Sequence, residues 1–338
     1  MTPKIFLTGG TGYIGGSVLH TIATTRREYQ LTVLLRRIPS SFKETYPNIT
    51  IVSGDYDSTS LLSSHAAAAD IVIHCGDSDH ISSLNALLTG LLSKPTPGYL
   101  IHLSGTGIVS DWRTPTQLGT LNPKIWSDLT DVASIASLPA EELHRPTEEL
   151  LHRYIAQHSD KVHIAIMCPP DIYGRGQGPG KTASALIPMF VNLILSSEHK
   201  QPFYVGDGTN TRSWVHVYDL MRLYLHVLDA TQTTTPEKFF GKNGYYFAAT
   251  QECSQIELAR KVGEVLLKHG ETKRAEPRQV CLQDVDALAN LPFFPQLGRY
   301  LFASNSRTRA ERAGKLFAYE GVAEGLMERL EMDVVDAL

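Results

Sequence analysis

Cysteine is scarce in this 338-residue chain, and its four cysteines stand far apart, at positions 75, 168, 253 and 281. They form no C-x-x-C pair and have no histidine at a spacing typical of zinc ligands. This pattern argues against a disulfide-stapled scaffold and against a zinc site. We therefore expect a protein of the cytoplasm, a reducing compartment, that holds no metal.

Long apolar runs and stretches of like charge are also missing. The longest apolar run, 185–195, is interrupted by Pro188 and Asn192 and falls short of the ~20 residues that a membrane-spanning helix needs. Lys and Arg number 31 against 35 Asp and Glu, a net charge of −4, and no basic stripe is present for a nucleic acid. A strand-like segment starts at Lys4, so we expect no signal peptide. The composition predicts a soluble globular protein without nucleic-acid or membrane partners.

A cluster of glycines stands between a predicted strand and a predicted helix near the N-terminus. The apolar run 4–8 leads into Gly-Gly-Thr-Gly-Tyr-Ile-Gly-Gly at 9–16, and a helical pattern continues over 17–24. The spacing satisfies G-x-G-x-x-G and also G-x-x-G-x-x-G. Such glycines permit a tight turn, a close approach of a pyrophosphate to the backbone and close packing of helix on strand, while the helix N-terminus attracts phosphate. We expect a dinucleotide to contact Gly9, Thr11, Gly12, Tyr13, Ile14 and Gly15.

Two arginines follow the next predicted strand, 31–35. Chains that bind NAD usually carry an Asp or Glu about 20 residues after the glycines, where it binds the ribose 2′-OH. Arg36 and Arg37 occupy that place here. Because a guanidinium binds phosphate through paired hydrogen bonds, the arginines favour NADP(H) over NAD. The alternative is that one or both are ordinary surface residues.

Further strand-like runs alternate with helical stretches, at 49–53, 70–74, 99–103 and 162–167. This alternation predicts an α/β fold with a parallel sheet wound on both faces, in which ligands bind beyond the carboxyl ends of the strands. Residues that follow these strands should therefore share one rim, namely Asp55, Tyr56, Cys75, Gly76, Thr106 and Pro169. Asp55 is a candidate acceptor for the adenine amino group, although an aspartate in a turn is also ordinary.

Taken together, the motifs resemble the extended short-chain dehydrogenase/reductase superfamily, the group of NAD-dependent nucleotide-sugar epimerases and dehydratases. Within it, the chain looks like the fungal epimerase-like and NmrA-like proteins. The matching segments extend over nearly the whole chain and are 8–15, 104–106, 169–174, 206–220 and 243–247.

The resemblance implies an architecture and a set of site residues. A doubly wound parallel Rossmann domain that binds the cofactor is expected at 1–173 plus 204–250, and a smaller C-terminal substrate-binding cap at 174–203 plus 251–338. Members of the family are often dimers, so a homodimer is expected. The segments that should meet the nicotinamide contain Ser104, Thr106, Pro169 and Pro170.

The hydride chemistry of this superfamily uses a Tyr and a Lys four residues later on one helix, and this sequence lacks that pair. None of the 14 tyrosines has a Lys four residues on, and the segment 111–153 contains no Tyr. The family also places a Glu four residues after the Lys. If that Glu is Glu148, His144 stands at the Lys position and Ala140 at the Tyr position.

The other register starts from Glu149 and places Arg145 and Glu141 at these positions. Pro146 breaks or begins a helix here, so both registers stay open. His144 and Arg145 are candidates for holding the nicotinamide ribose. Histidine titrates near neutral pH, which also makes His144 a candidate general acid. The alternative is that both are surface residues.

Two hydroxyl groups complete the catalytic candidates. Thr106 could hydrogen-bond to a substrate carbonyl, and Tyr173 is the nearest phenol linked to a motif. Tyr173 could equally be a packing residue.

The second half of the chain is expected to hold the substrate. Arg212 matches a position that binds a substrate phosphate in sugar-nucleotide members, and we also expect contacts from Trp112 and from Met189 in the apolar helix predicted over 184–195. Aromatic residues at 291–302, including Tyr300 and Phe302, predict either an apolar pocket or a packed corner. The glycine-rich loop 174–180 ends in Gly-Lys-Thr, but it lacks the first glycine and the strand of a P-loop.

Three functions remain open at this point. The first is an NADP(H)-dependent oxidoreductase, in the reductive direction, that acts on a small and largely apolar organic molecule, as in fungal secondary metabolism. The second is a cyclase or isomerase that binds NADP(H) without net redox, for example of the Diels–Alder type. The third is a non-catalytic NADP(H) sensor. Loss of the Tyr-x-x-x-Lys pair favours the second and third.

Overall fold

A computed structural model describes residues 2–289, 291–292 and 294–338. The main sheet has seven parallel strands in the order β11–β7–β5–β4–β1–β2–β3. The strands are β1 Lys4–Thr8, β2 Gln30–Leu35, β3 Thr50–Ser53, β4 Ile71–His74, β5 Gly98–Leu103, β6 Trp126–Ser127, β7 Val162–Cys168, β8 Asp171–Tyr173, β9 Phe203–Val205, β10 Thr211–His216, β11 Tyr245–Phe247, β12 Gln251–Ser254, β13 Arg278–Val280 and β14 Thr308–Arg309.

Helices connect these strands and cover the main sheet. They are α1 Tyr13–Thr25, α2 Phe42–Thr45, α3 Thr59–Ala68, α4 Ile81–Leu92, α5 Val132–Ala136, α6 Arg145–His158, α7 Leu186–Ser196, α8 Val217–Asp229, α9 Gln255–Lys268, α10 Leu282–Leu288, α11 Leu297–Phe302, α12 Glu311–Phe317 and α13 Leu326–Val335. Short 3₁₀ turns occupy Thr106–Val109, Pro115–Gln117, Ala230–Gln232, Pro236–Lys238 and Gly241–Asn243. In the part of the chain that the structure describes, no helix combines the length and the apolar character of a membrane span.

Both faces of the main sheet are buried, as its continuous apolar strands predict. One core joins the sheet to α1 and α8, and the other joins it to α3, α4 and α6. Strands buried on both faces are typical of parallel α/β sheets, and all four residues of β4 are buried. The predicted α/β class with a doubly wound parallel sheet is confirmed.

The smaller sheets depart from the predicted boundaries. Strand β10 pairs with β8 and β12 in a three-stranded sheet, and β9 pairs with β13. The segment from 204 onward therefore contributes first to these small sheets, and the chain returns to the main sheet through α8 and β11. Helix α9 follows β12 directly and begins at Gln255, because Ser254 and Glu257 form a capping box there.

Another difference concerns the helix that should carry the family's catalytic pair. The periodicity predicts a helix over 140–150, whereas α6 starts at Arg145 with Pro146 in its first turn. His144 is the residue before the helix and has a left-handed backbone with φ of 65°. Proline is favoured in the first helical turn because it has no N–H to donate, which explains why the helix starts here.

Candidate active site

The glycine cluster forms a turn in which two glycines are required by the protein itself. Gly9 has φ of +80°, and a Cβ atom there would lie 2.2 Å from the carbonyl oxygen of Cys75. A Cβ atom at Gly15 would lie 2.3 Å from the carbonyl oxygen of Gly9. Both distances are far below contact distance, so any side chain would force strand β1 and helix α1 apart.

Gly12 differs from these two. Its φ of −77° and ψ of 168° suit any residue, and a Cβ atom would meet only the oxygen of Gly9, at 3.3 Å. The protein therefore leaves the space above Gly12 empty at the N-terminus of α1, where the first backbone N–H groups have no partner within the helix. This is the cradle that a pyrophosphate requires, so the residues present fit a dinucleotide.

Next to this turn lies a cavity of about 220 Å³ between the ends of β1, β2 and β3. Thr11, Arg36, Arg37, Asp55 and Tyr56 line it together with neighbouring backbone. The Oδ1 atom of Asp55 accepts a hydrogen bond of 2.7 Å from the Ser58 hydroxyl, and this bond lowers the pKa of Asp55 and keeps it ionised at neutral pH. The cavity thus offers two cations and one ionised acceptor, the groups predicted for the adenosine end of NADP(H).

Other residues predicted to touch the cofactor are engaged within the fold. The Tyr13 hydroxyl donates to the carbonyl oxygen of Gly174 at 2.6 Å, and burial raises the pKa of that phenol.

Cys75 is buried, its Sγ donates to the Tyr224 hydroxyl at 3.6 Å, and burial raises its pKa to about 12. Cys75 is therefore a neutral thiol. Gly76 lies under the Tyr56 ring, since a Cβ atom there would meet the hydroxyl oxygen at 2.5 Å. Ile14 packs against the core on the α1 side of the sheet.

At the other end of the rim, His144 is oriented by a carboxylate. Its Nδ1 atom lies 2.8 Å from Oδ1 of Asp79, in the loop after β4. Its Nε2 atom faces the turn after β5, where Cβ atoms at Gly105 and Gly107 would lie 3.0 and 3.4 Å from it. Thr106, between those glycines, donates its N–H to the carbonyl oxygen of Pro169 at 3.1 Å and joins the ends of β5 and β7.

The burial pattern favours one of the two registers of the missing pair. Glu148 is fully buried, whereas Glu149 is exposed. Glu148 accepts a hydrogen bond from the Ser104 hydroxyl at 2.5 Å, and burial raises its pKa. In the register that starts from Glu148, His144 and Ala140 match the Lys and Tyr positions, and neither residue lies on α6. Ser104, predicted to bind the cofactor, uses its hydroxyl for this internal bond.

Two further predictions need correction. Arg145 is 7% exposed and its Nε donates to the carbonyl oxygen of Leu138 at 3.0 Å, so its guanidinium is buried against the segment before α6 and does not face an open site for a ribose. The Tyr173 hydroxyl donates to the carbonyl oxygen of Glu324 at 2.8 Å and accepts from Gln251 at 2.6 Å. Burial raises the pKa of Tyr173 to about 12. The residue belongs to the third hydrophobic core, which contains residues of α7, α9 and α13 and is called the core of the small domain below. Its role in this structure is packing.

The predicted phosphate-binding arginine is also engaged. Arg212 is 5% exposed, and its Nε donates to Asp171 at 2.5 Å. Its Nη1 donates to the carbonyl oxygen of Tyr300 and to Ser304, each at 2.9 Å. Four of the five N–H groups of this guanidinium thus bond within the protein, so it has no pair of free donors for a substrate phosphate. Met189 lies half-buried on α7.

Three aromatic side chains, Trp112, Phe294 and Tyr300, form a packed group, called the aromatic wall below, that reaches the turn faced by His144. The Trp112 ring meets Phe294 edge to face at 5.2 Å between centroids, and Phe294 stacks on Tyr300 at 5.5 Å. The Tyr300 hydroxyl approaches the same turn as His144, because a Cβ atom at Gly107 would lie 2.8 Å from it. The predicted aromatic cluster thus divides, since Phe302 packs with Phe190 and Phe203 in the core of the small domain. Residue 293, within the predicted cluster, lies outside the described residues.

Sequence reasoning missed Asp79 altogether, and it missed the approach of Tyr300 to Gly107. Asp79 is one of several acids in a polar loop, and no motif marks it. Tyr300 is part of a visible aromatic cluster, but its contact with the turn after β5 joins residues 193 positions apart. Among the described residues, no group of three or more His, Cys, Asp or Glu side chains is placed to hold a metal ion.

The fold and the glycine cradle define a Rossmann-type dinucleotide-binding protein, and comparisons with known proteins narrow the class. Residues 144–240 match the family described as "NAD dependent epimerase/dehydratase family". "Oxidase ucsJ" from Acremonium sp is 29% identical over 349 residues, which cover 99% of this chain and 97% of that relative. A dTDP-glucose 4,6-dehydratase from Streptomyces antibioticus is 26% identical over 243 residues, 64% of this chain and 65% of the relative.

Solved structures share the fold over the full length. The dTDP-glucose 4,6-dehydratase from Bacillus anthracis, in complex with NAD, superposes with a TM-score of 0.65 at 18% identity and covers 98% of this chain and 96% of its own. A UDP-glucuronic acid 4-epimerase from Bacillus cereus, with UDP-glucuronic acid and NAD, gives 0.65 at 17% identity over 99% and 98%. The chain is thus similar to NAD-dependent epimerase/dehydratase proteins, with the family match itself confined to residues 144–240, and it shares the fold of their solved structures. The matches support an enzyme of this kind with a nicotinamide cofactor.

Proposed function

We propose that the chain is an NADP(H)-dependent oxidoreductase that reduces a carbonyl, imine or enone on a small, largely apolar organic molecule. The observation that carries the cofactor preference is the cavity beside the glycine turn, in which Arg36 and Arg37 join Thr11 and Asp55. Two guanidinium groups at the carboxyl end of β2 suit the dianionic 2′-phosphate of NADP(H), whereas a ribose 2′-OH is usually bound by a carboxylate there.

The proton side of the reaction is assigned to His144. Bound NADPH would supply the hydride at the carboxyl ends of β5 and β7. Asp79 accepts a hydrogen bond from Nδ1–H of His144, and this bond orients the ring so that Nε2 faces the turn that contains Thr106. From there Nε2 can deliver a proton to the substrate oxygen or nitrogen. Thr106 would orient that atom by hydrogen bonding. The assignment replaces the family's tyrosine with an imidazole that enters from the residue before α6.

The aromatic wall supports the class of substrate. Trp112, Phe294 and Tyr300 pack on one another, and the Tyr300 hydroxyl lies near Gly107, in the turn that Nε2 of His144 faces. The indole Nε1 of Trp112 is buried and has no hydrogen-bond partner among the described residues. A buried donor without a partner is costly, and a ligand acceptor would satisfy it. The wall therefore suits a flat, mainly apolar molecule that carries at least one hydrogen-bond acceptor.

The full-length similarity to a protein named an oxidase in Acremonium sp supports redox chemistry. On this basis we extend the proposal to a cytoplasmic enzyme of fungal secondary metabolism. The direction follows from the experiment below, because the oxidised and the reduced cofactor are tested separately.

The proposal is tested by titrating purified protein with NADPH and NADH while nicotinamide fluorescence is recorded. A panel of apolar ketones, imines and enones is then added, and absorbance of the reduced cofactor is followed. Tighter binding of NADPH, with loss of absorbance that depends on one class of compound, supports the proposal. Equal binding of the two cofactors overturns the assignment of NADP(H). Turnover only with oxidised cofactor and an alcohol panel reverses the direction.

A second candidate is a reaction without net redox, such as an isomerisation, cyclisation or dehydration. The missing Tyr-x-x-x-Lys pair favours it, and so do the relatives named dTDP-glucose 4,6-dehydratase. The same assay separates the two candidates when products are analysed by mass spectrometry. Product that forms while the cofactor stays reduced identifies the second reaction.

A further inference from the structure

The glycine-rich loop 174–182 docks onto the glycine turn of the cofactor site. The N–H of Lys181 donates to the carbonyl oxygen of Thr11 at 2.9 Å. The N–H of Gln177 donates to the hydroxyl of Ser17 at 3.0 Å, and the loop closes on itself through a bond of 2.8 Å between the N–H of Gly176 and the carbonyl oxygen of Thr182. This loop follows β8 and leads into α7 of the predicted cap.

Its alternating glycines are explained by this contact. A Cβ atom at Gly180 would lie 2.2 Å from the carbonyl oxygen of Thr11. Gly178 has φ of +135°, and a Cβ atom there would lie 2.6 Å from the carbonyl oxygen of Gly16. Only residues without side chains let the two backbones come this close. The loop is therefore shaped to hold its last residues against the cofactor turn.

The contact places the backbone of a lysine beside Thr11, a residue that lines the cavity next to the glycine turn. Thr11 lines that cavity with Arg36 and Arg37, and Lys181 is hydrogen-bonded to Thr11. Lys181 is exposed, and its ammonium group forms no ion pair with any described residue. A lysine carries a compact charge on a flexible stem, so it can reach a phosphate that binds beside its backbone anchor.

We propose that Lys181 is a cofactor-specificity residue that binds the adenosine 2′-phosphate of NADP(H) as a third cation beside Arg36 and Arg37. The inference rests on the proposed preference for NADP(H) and deepens it. The pyrophosphate is the other anion within the cofactor. The 2′-phosphate is favoured because Thr11 shares its cavity with the two arginines, whereas the cradle for the pyrophosphate lies at Gly12, at the start of α1.

The test is a binding experiment that needs no substrate. Dissociation constants are measured by calorimetry for NADPH, NADH, adenosine 2′,5′-bisphosphate and 5′-AMP. The proteins are wild type, Lys181→Gln, Lys181→Arg and the control Lys273→Gln, which removes an exposed lysine in the turn between α9 and β13. Lys181→Gln should weaken NADPH and adenosine 2′,5′-bisphosphate about tenfold, the typical worth of one charge-assisted contact, and leave NADH and 5′-AMP within about twofold. Lys181→Arg should retain most of the affinity, and the control should match wild type.

Salt provides a second readout. Because the contact is ionic, the affinity of wild type for NADPH should fall more steeply between 0.05 and 0.3 M NaCl than that of Lys181→Gln. The Debye length shortens by more than about twofold over this range, so ionic contacts are screened more strongly. An equal loss for NADPH and NADH would assign Lys181 to the pyrophosphate and overturn the inference. Unchanged binding in Lys181→Gln overturns it while the preference for NADP(H) stands. A wild type that binds NADH as tightly as NADPH removes the proposed preference, and the inference with it.

Discussion

Substituting valine at Gly12 should remove cofactor binding and leave the fold intact, whereas the same substitution at Gly15 should damage the fold. A Cβ atom at Gly12 meets only the oxygen of Gly9, at 3.3 Å, and the backbone there suits any residue. A Cβ atom at Gly15 would lie 2.3 Å from that oxygen and 3.0 Å from Cβ of Cys75. The space at Gly12 is thus kept for the cofactor, and the space at Gly15 is taken by the protein.

The two variants should differ in magnitude as well as in kind. Overpacking costs about 1–3 kcal/mol, and we expect Gly15→Val to lose that much free energy of unfolding without any ligand. Gly12→Val should stay within about 1 kcal/mol of wild type, since Gly substitutions at compatible backbone angles are mild. In Gly12→Val the same steric cost opposes cofactor binding and not folding, so it raises the dissociation constant of NADPH up to about a hundredfold. At a concentration 100 times the wild-type constant, NADPH stabilises wild type by about 2.7 kcal/mol but Gly12→Val by only about 0.4 kcal/mol.

Chemical denaturation of the three proteins with and without NADPH measures these differences directly. The expected pattern is a normal unfolding curve for Gly12→Val that NADPH barely moves, and a weakened curve for Gly15→Val in either condition. The reasoning is refuted if Gly12→Val is stabilised by NADPH as much as wild type. It is equally refuted if Gly12→Val is as unstable as Gly15→Val in the absence of cofactor.

Three further predictions address charge and proton transfer. Arg36→Ala combined with Arg37→Ala should weaken NADPH about a hundredfold, since each charge-assisted contact contributes about 1.5 kcal/mol, and should leave NADH nearly unchanged in fluorescence titrations. His144→Asn, chosen because asparagine tolerates the left-handed backbone, should lower kcat at least about 100-fold with unchanged NADPH affinity, and Asp79→Asn should lower kcat in the same direction. Burial raises the pKa of Asp128 to about 6, so its contribution to stability is present at acidic pH and is lost as the pH rises from about 4 to about 6. Relative to Asp128→Asn, wild type should lose about 2 kcal/mol of unfolding free energy between these pH values, as measured by urea denaturation.

Matched controls separate these effects from general damage. Arg153→Ala removes an exposed arginine of α6 and should leave the ratio of NADPH to NADH affinity unchanged. His158→Asn changes the histidine at the opposite end of α6 and should keep full turnover. Undiminished kcat in His144→Asn contradicts the assignment of the proton donor. A wild type whose stability rises between pH 4 and pH 6 in step with Asp128→Asn contradicts the account of the buried carboxyl.

Local sequence was sufficient for most of the main sheet. The run 4–8 matches β1 residue for residue, and the runs predicted at 49–53, 70–74 and 99–103 match β3, β4 and β5 within one residue. These strands are buried on both faces, so each is an unbroken apolar run bounded by polar or glycine residues. Helix ends were harder, because the start of α6 depends on where Pro146 falls in the first turn and the preceding segment forms no helix.

The cofactor half of the candidate site was also within reach of the sequence, and the catalytic half was not. Spacing along the chain is enough to predict where the glycines, Arg36 and Arg37 lie, because a turn and the two strand ends beside it bring them together. The pair of His144 and Asp79 joins residues 65 positions apart, and Arg212 is held by Asp171 from 41 positions away. Only tertiary structure decides whether such a charged side chain faces a ligand or another part of the protein, since that depends on which distant residues the fold brings into contact with it. The amino-acid sequence by itself determined the Rossmann sheet and its dinucleotide turn, because these depend on local spacing and on apolar burial. Long-range packing alone brought Asp79 to His144, and it buried Arg212 against Asp171.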